Sequence, residues 1–156
     1  MADQPTLEAL QKRLQVLEDI EEIRKIYVAY ARNLDLGDAA AYAALFARDA
    51  KLRLGVINAD GREAIEEGAW KVVGGRDGNQ APKTHRTLHL IASPTIEVDG
   101  DTATGECVWV AVTAKEGGDP SIPHMGRHLD RFVREDGKWK IKSRKGVLDL
   151  GVVMAR

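Results

Sequence analysis

The sequence predicts a single α+β domain in which helices come first and an antiparallel sheet follows. Apolar residues recur at three- and four-residue steps over residues 7–34, which is the period of an amphipathic helix. From residue 84 onward, segments rich in β-branched residues alternate with short turns that contain glycine. Helices that precede a run of strands are typical of the α+β class, and a chain of 156 residues fits one domain.

The first helical region is predicted as one or two helices over residues 7–34, with residues 1–18 forming an N-terminal helical extension. Its apolar positions keep a heptad-like spacing only as far as Leu17, which favours a helix lying on the body or on a partner subunit over a coiled coil. Gly37 suits the left-handed position after a helix C-terminus, and Asp38 suits the N-cap of the next helix.

Two helices and a strand are expected before the sheet region: a helix over residues 39–48, a strand over 51–57 and a helix over 61–70. The first of these helices is expected to bury Tyr42, Leu45 and Phe46. The second is weakened by Gly68, because glycine is a poor helix former. Residues 74–82 are rich in glycine and polar side chains, so we expect a loop at the rim of a pocket.

The strands are predicted to form two hairpins, with strands over residues 87–98, 102–114, 126–134 and 138–148. Asp99-Gly100 is the turn of the first hairpin, and Glu135-Asp136-Gly137 is the turn of the second. A polar loop over residues 115–123 connects the two. The strand over 102–114 has apolar side chains on both faces, so we expect the helices to cover one face and a second copy of the sheet to cover the other. The sequence therefore predicts a homodimer.

Composition excludes several classes of partner. Lys and Arg number 23 against 24 Asp and Glu, a formal net charge of −1, so nothing draws the chain to nucleic acid or to acidic lipid. No stretch of about 18 apolar residues is present to span a membrane. Cys107 is the one cysteine, which suits a reducing compartment, and the first residues lack the pattern of a secretory signal. We expect a cytoplasmic protein.

Histidines are the main candidates for chemistry, because phosphate loops, dinucleotide fingerprints and nucleophile elbows are absent from the sequence. They occur in two pairs with the same spacing, His85 with His89 and His124 with His128. Four residues along a strand span about 13 Å, too far for both members of a pair to bind one metal ion. A metal site would need one histidine from each pair together with a carboxylate; we expect no metal and, without a nucleotide-binding motif, no cofactor. Cys107 has no adjacent activating group, so we expect it to be a small core residue.

His89 stands between Leu88 and Leu90 and has two interpretations: a core histidine held by one hydrogen bond, or a general base oriented by a buried carboxylate. Asp35 is the natural partner, since it lies where the first helix ends; it also suits a simple turn residue. Tyr30, one helical turn earlier, is either a core residue or a hydrogen-bond donor to a substrate oxygen.

His128 is predicted to share one strand face with Asp130 and Phe132. These polar groups either line a cavity and bind substrate or form a solvated ladder with Arg144 on the neighbouring strand. We place Arg144 with His128 among the substrate-binding candidates. Trp70 and Trp109, together with the loop over residues 74–82, are expected to close the pocket.

Three local strings resemble a known family. They are Tyr-Ala-Arg-Asn-Leu-Asp at residues 30–35, Leu-His-Leu at 88–90 and Gly-Arg-His-Leu-Asp-Arg at 126–131, each followed by further matching residues. The chain, from about Asp19 to Leu150, resembles the SnoaL-like branch of the NTF2-like superfamily, which includes scytalone dehydratase and bile-acid 7α-dehydratase. This resemblance implies a cone-shaped barrel, in which a curved, mostly antiparallel sheet wraps around N-terminal helices.

The resemblance also implies roles for individual residues. The positions of the family's Asp and proton-abstracting His fall on Asp35 and His89, and a substrate-binding tyrosine falls on Tyr30. An amide that contacts substrate in the scytalone enzyme corresponds to His128. That enzyme's second tyrosine and second catalytic histidine fall near Val56 and Cys107, so scytalone itself is not the expected substrate.

The predicted function is a cofactor-independent lyase, of dehydratase or retro-aldol type, that acts on a small hydrophobic, aromatic, oxygenated substrate. An isomerase or cyclase of the same fold is the first alternative, because it needs the same base without splitting the substrate. A small-molecule-binding module without turnover is the second.

Overall fold

The computed structural model describes residues 4–73, 87–114 and 118–151. Within these ranges three helices lie against one curved, unclosed six-stranded sheet. The elements are α1 (Leu7–Leu36), α2 (Ala39–Ala43), β1 (Phe46–Arg53), β2 (Asn58–Asp60), α3 (Arg62–Val73), β3 (Thr87–Asp99), β4 (Thr102–Ala114), β5 (Pro120–Glu135) and β6 (Lys138–Gly151). The strand order is β2-β1-β6-β5-β4-β3, with β1 parallel to β6 and the other neighbours antiparallel. The predicted α+β class, with N-terminal helices and a curved, mostly antiparallel sheet, is confirmed.

Helix α1 is one continuous helix of 30 residues. The Thr6 hydroxyl caps its N-terminus by accepting a hydrogen bond from the Ala9 N–H at 3.2 Å. Gly37 ends it at φ 75°, and the Asp38 carboxylate caps α2, both as predicted. The described residues before Asp19 are all exposed, so the N-terminal half of the helix is not covered by the rest of the described chain. No helix in the described ranges is long and apolar enough to cross a membrane.

Asp19 ties the middle of α1 to the last hairpin. Its carboxylate, almost fully buried, accepts hydrogen bonds from the Arg134 guanidinium at 2.6 Å and from the Trp139 indole N–H at 3.0 Å. The Arg134 guanidinium also lies over the Trp139 ring. These bonds outweigh burial, so the pKa of Asp19 is lowered and the group stays ionised.

The boundary between α2 and β1 differs from the prediction. The helix expected over residues 39–48 stops at Ala43, and the strand expected over 51–57 begins at Phe46 and ends at Arg53. Tyr42 and Phe46 are both fully buried at a spacing that a helix also allows, so their pattern alone favours neither structure. Pairing with β6 decides it: Leu45 O accepts a hydrogen bond from Ile141 N at 2.9 Å, and Phe46 is the Cα partner of Ile141.

Two other boundaries also differ from the prediction. The helix expected over residues 61–70 is α3, displaced by a few residues. Of the loop expected over residues 115–123, the part from Pro120 onward belongs to β5. Residues 115–117 and the loop expected over 74–82 lie outside the described residues.

Both predicted hairpins form, but their connections are Gly100-Asp101 and Asp136-Gly137, because Asp99 and Glu135 belong to the strands. Gly100 has φ 57° in the first turn, while Asp136 and Gly137 both have positive φ in the second, as a type I′ turn requires. The core fills the space between the helices and the concave inner face of the sheet; the outer face of β3 and β4 carries Leu88, Leu90 and Val108, each more than one-third exposed. Helix α1 packs along β3, which places its C-terminal end beside the first residues of that strand.

Candidate functional site

Asp35, in the last turn of α1, contacts His89, the third residue of β3. The Asp35 Oδ1 atom is 2.6 Å from the ring Nδ1 of His89, and the His89 backbone N–H donates to Asp35 Oδ2 at 3.0 Å. One carboxylate therefore holds both the ring and the backbone of the histidine. The His89 side chain is 23% exposed and the Asp35 side chain 16%, so the pair is shielded yet reachable.

This contact sets the state of the imidazole. A carboxylate oxygen accepts a hydrogen bond from the ring, so the Asp35 contact favours the tautomer with hydrogen on Nδ1. The lone pair of Nε2 is then left to accept a proton, and Nε2 makes no hydrogen bond to another described residue. A histidine held in this way is equipped to act as a general base.

Tyr30 lies within the core, one to two turns of α1 before Asp35. Its hydroxyl accepts a hydrogen bond from the Tyr42 hydroxyl at 3.1 Å, and the Arg144 guanidinium carbon is 3.9 Å from its ring centre. Burial raises the pKa of Tyr30, so the hydroxyl remains protonated. Since it accepts from Tyr42, its own proton is available to another acceptor.

His128 is buried on the inner face of β5, beside Tyr30 and Trp109. Its ring meets the Tyr30 ring edge-on at 5.4 Å and stacks on the Trp109 indole at 5.7 Å. Burial, with the charges of Arg144 and His89, lowers the pKa of His128 to about 2. His128 is therefore neutral near physiological pH.

The predicted partnership of Asp130 and Arg144 is present, but the solvated ladder is wrong. Arg144 Nε and Nη2 donate to the two Asp130 oxygens at 2.7 and 2.8 Å, and both side chains are completely buried. Inner-face positions on adjacent strands, covered by α1, exclude water from the pair. Within the described residues, Arg144 Nη1 is buried without a hydrogen-bond partner.

The two tryptophans lie in different parts of the fold. Trp109 is on the inner face of β4, and its buried indole N–H has no hydrogen-bond acceptor among the described residues. Trp70 is on α3, and its indole N–H donates to Glu66 at 3.3 Å. Helix α3 packs on α2 and on the strands β1 and β2. These two strands lie at the opposite edge of the sheet from β3. The structure therefore brings Trp109, and not Trp70, to the side of the sheet that carries His128.

Two further groups, Tyr27 on α1 and His124 on β5, have no catalytic or substrate-binding role assigned from the sequence. The Tyr27 hydroxyl lies over Gly105, where a β-carbon would be 2.6 Å away, and it makes no well-formed hydrogen bond to a described residue. Burial, and then the Asp130 charge, raises the pKa of Tyr27. His124 meets the Trp109 ring edge-on at 5.7 Å. Its position four residues before His128 is the signal that places both on one strand face.

Two surface depressions lie away from Asp35 and His89. One, of about 450 Å³, is lined mainly by outer-face residues of β3 to β6, such as Glu97 and Lys145. The other, of about 550 Å³, lies against the exposed half of α1, at Val16 and Leu17. Within the described ranges, no three His, Cys, Asp or Glu side chains are placed to hold one metal ion.

Solved structures of the same fold include an NTF2-like protein with a cystatin-like fold from Novosphingobium aromaticivorans. It is 28% identical to this chain, with a TM-score of 0.79, and the match covers 96% of this chain and 94% of that one. A scytalone dehydratase-like protein from the same organism is 24% identical, with a TM-score of 0.69 and 86% of each chain covered; it shows the fold alone.

Among curated proteins, the chain is similar to the β subunit of the terminal oxygenase component of terephthalate 1,2-dioxygenase from Comamonas sp. The two are 22% identical over 141 residues, which is 82% of this chain and 89% of that subunit. The family model for the SnoaL-like domain matches residues 15–145 and so includes most of α1, the carboxylate–imidazole pair and nearly the whole sheet. The chain belongs to the SnoaL-like domain family.

Proposed function

We propose that the chain is a cofactor-independent lyase, of dehydratase or retro-aldol type, in which His89 is the general base and Asp35 orients it. The observation that carries this proposal is the 2.6 Å contact between Asp35 Oδ1 and His89 Nδ1. The carboxylate comes from a helix end and the imidazole from an edge strand 54 residues later. The substrate is a small hydrophobic, oxygenated, aromatic molecule.

Proton removal by His89 leaves charge on the substrate, and the inner face supplies groups for it. Asp35 stabilises the imidazolium that forms, because the two charges are in contact and shielded from water. The Arg144 guanidinium and the Tyr30 hydroxyl are donors suited to a developing oxyanion. His128 is neutral and does not compete as a base, so its role is to hydrogen-bond a substrate oxygen.

The test is turnover of a panel of β-hydroxy ketones fused to aromatic rings, followed by mass spectrometry. Loss of water indicates a dehydratase, scission into two fragments indicates a retro-aldol lyase, and conserved mass indicates an isomerase or cyclase. We expect His89→Gln and Asp35→Asn to lower kcat by about 10² to 10⁴, the range for a positioned base. Retention of full activity in His89→Gln, with the fold intact by circular dichroism, would exclude this base.

A binding module without turnover is the second candidate, and one observation favours it. The two depressions described above lie on the outer face and along α1, away from Asp35 and His89. In this case a panel compound recovered from the protein is chemically unchanged, and Asp35→Asn binds it as tightly as the wild type does.

We also propose that the outer face of β3 and β4 pairs with the same face of a second copy. Leu88 and Leu90 are each about half exposed there, directly opposite Val112 and Val110 on β4. A contiguous apolar patch on a sheet face marks an interaction site, and pairing of identical patches gives a two-fold dimer.

A further inference from the structure

The first twelve residues of α1, which we call the N-terminal arm (residues 7–18), carry a stripe of leucines that no described residue covers. The stripe consists of Leu7, Leu10, Leu14 and Leu17, which are between 46% and 73% exposed. A helix has 3.6 residues per turn, so the stripe is centred about 160° around the axis from the α1 side chains that are buried against the body. Because α1 is unbroken, the side of the helix that packs on the body cannot also bury these leucines.

A groove on the outer face of the sheet, of about 450 Å³, is a second uncovered feature. Its charged side chains are sorted by strand. Glu97 and Glu106 line it on β3 and β4. Arg131 and Lys145 line it on β5 and β6, and Leu129 lies between Glu106 and Lys145. Among the described residues Glu97, Arg131 and Lys145 make no ion pair, so their charges are available to another molecule.

The arm carries charges that match the two sides of this groove. By helix geometry Arg13 lies about 80° to one side of the centre of the leucine stripe, and Glu18 lies about 60° to the other side. Neither makes an ion pair with a described residue. An arm whose leucines rest on Leu129 can therefore turn Arg13 towards Glu97. The same placement turns Glu18 towards Lys145, and such complementary charges orient an association.

The occupant of the groove has to come from another copy of the chain. Helix α1 packs on the inner face of the sheet, where Tyr30 lies against Arg144, whereas the groove opens on the outer face. The arm has two acidic and two basic side chains, so an acidic lipid surface does not attract it. Exchange of arms between two copies forms the same contact twice, as a two-fold interface requires.

We propose that the N-terminal arm of one copy lies in the outer-face groove of a second copy, with its leucine stripe on Leu129 and Arg13 towards Glu97. This interface goes beyond the proposed lyase function and uses neither Leu88 nor Leu90 of the apolar patch on β3. A helix of twelve residues is marginal by itself in water, and the groove supplies packing that the arm lacks.

Disulfide cross-linking between two full-length variants tests the placement. Leu14→Cys and Leu129→Cys proteins are mixed under mild oxidation, and linked peptides are identified by mass spectrometry. We expect a link between position 14 of one copy and position 129 of the other, while the native Cys107 is buried and forms none. Val28→Cys, similarly exposed on α1 but beyond the arm, is the matched control and should form no link with Leu129→Cys.

Three outcomes of this experiment overturn the proposal. A link between two copies of Leu14→Cys in place of the mixed link shows that the arms pair with each other. A link between two copies of Leu129→Cys in its place shows that two grooves face each other. Absence of any link shows that the arm and the groove do not meet.

Charge reversal in the same assay tests the direction of the arm. Arg13→Glu on the Leu14→Cys copy should slow formation of the mixed link by about tenfold, because like charges then face each other. Glu97→Arg on the Leu129→Cys copy should restore the rate. Arg24→Glu, on the same helix beyond the arm, makes the same change of net charge and should leave the rate unchanged. A rate that Arg13→Glu does not lower, or that Glu97→Arg does not restore, overturns the placement.

Discussion

Asp130 and Arg144 form a two-pronged ion pair in which neither side chain is exposed to solvent. The guanidinium carbon of Arg144 also lies 3.9 Å from the centre of the Tyr30 ring and 5.3 Å from the centre of the Tyr27 ring. The pair therefore joins β5 to β6 at a point that α1 covers. Removal of this ion pair should therefore lower the free energy of unfolding, whether or not activity changes.

Asp130→Asn is expected to lower the free energy of unfolding by about 3 to 5 kcal/mol, because it leaves a buried arginine charge without a partner. Urea unfolding followed by tryptophan fluorescence measures the difference. Asp60→Asn is the matched control, since Asp60 pairs with Arg53 at the surface and should cost about 1 kcal/mol or less. Equal effects of the two substitutions would contradict the assigned importance of burial.

The lowered pKa of His128 leads us to expect that the stability of the fold depends on pH. Its pKa falls from the ordinary value of 6.5 to about 2 on folding, so between these values the unfolded chain binds a proton that the folded chain rejects. The stability that this group contributes is complete above about pH 6.5 and is lost as pH falls below it, by up to about 1.4 kcal/mol per pH unit. His128→Gln should remove this slope between pH 6 and 4 in urea unfolding. A slope unchanged by the substitution would show that other groups cause it.

Gly68 in α3 should resist replacement by a better helix former. A β-carbon there would lie 2.6 Å from Ile57 Cγ2, closer than real contacts allow. Alanine gains about 1 kcal/mol in helix propensity, but overpacking of a core costs about 1 to 3 kcal/mol. We expect Gly68→Ala to lower the melting temperature, and the added substitution Ile57→Ala to remove the penalty of the alanine at position 68 in a double-mutant cycle.

The outer face of the sheet predicts a change of assembly. Leu90→Glu places a charge in the middle of the apolar patch, which should convert the dimer into a monomer in light scattering at micromolar concentration. Val56→Glu, exposed on the loop between β1 and β2, is the control and should leave the mass unchanged. A wild-type chain that is monomeric at this concentration would refute the proposed dimer.

The sequence predicts the parts of the site that have local signals. Asp35 lies two residues before Gly37, a residue suited to the left-handed end of a helix, and His89 stands in an apolar strand, so each element is recognisable by itself. The burial of Arg144 has no local signal, because an arginine in a strand is more often at the surface. Whether it is buried depends on Asp130 and on the helix that covers both.

Phe46 shows the same limit for secondary structure. Its spacing from Tyr42 fits a helix, and only the parallel pairing of β1 with β6 turns the chain into a strand there. The alignment of His89 with Ala111, and of Ala111 with His124, depends on the register of three strands. That register follows from two turns and a count of residues, which the sequence contains, but also from a shift between Ala111 and Thr113 that it does not reveal.

The Asp19 contacts with Arg134 and Trp139 have a consequence for a group far along the same helix. Asp35 lies 16 residues beyond Asp19 in an unbroken helix, a distance of about 24 Å along its axis. A slide of this rod by one residue, about 1.5 Å, would draw the carboxylate out of reach of the imidazole. The Asp19 contacts near the middle of α1 therefore fix the position of the helix along its axis, and with it the position of Asp35.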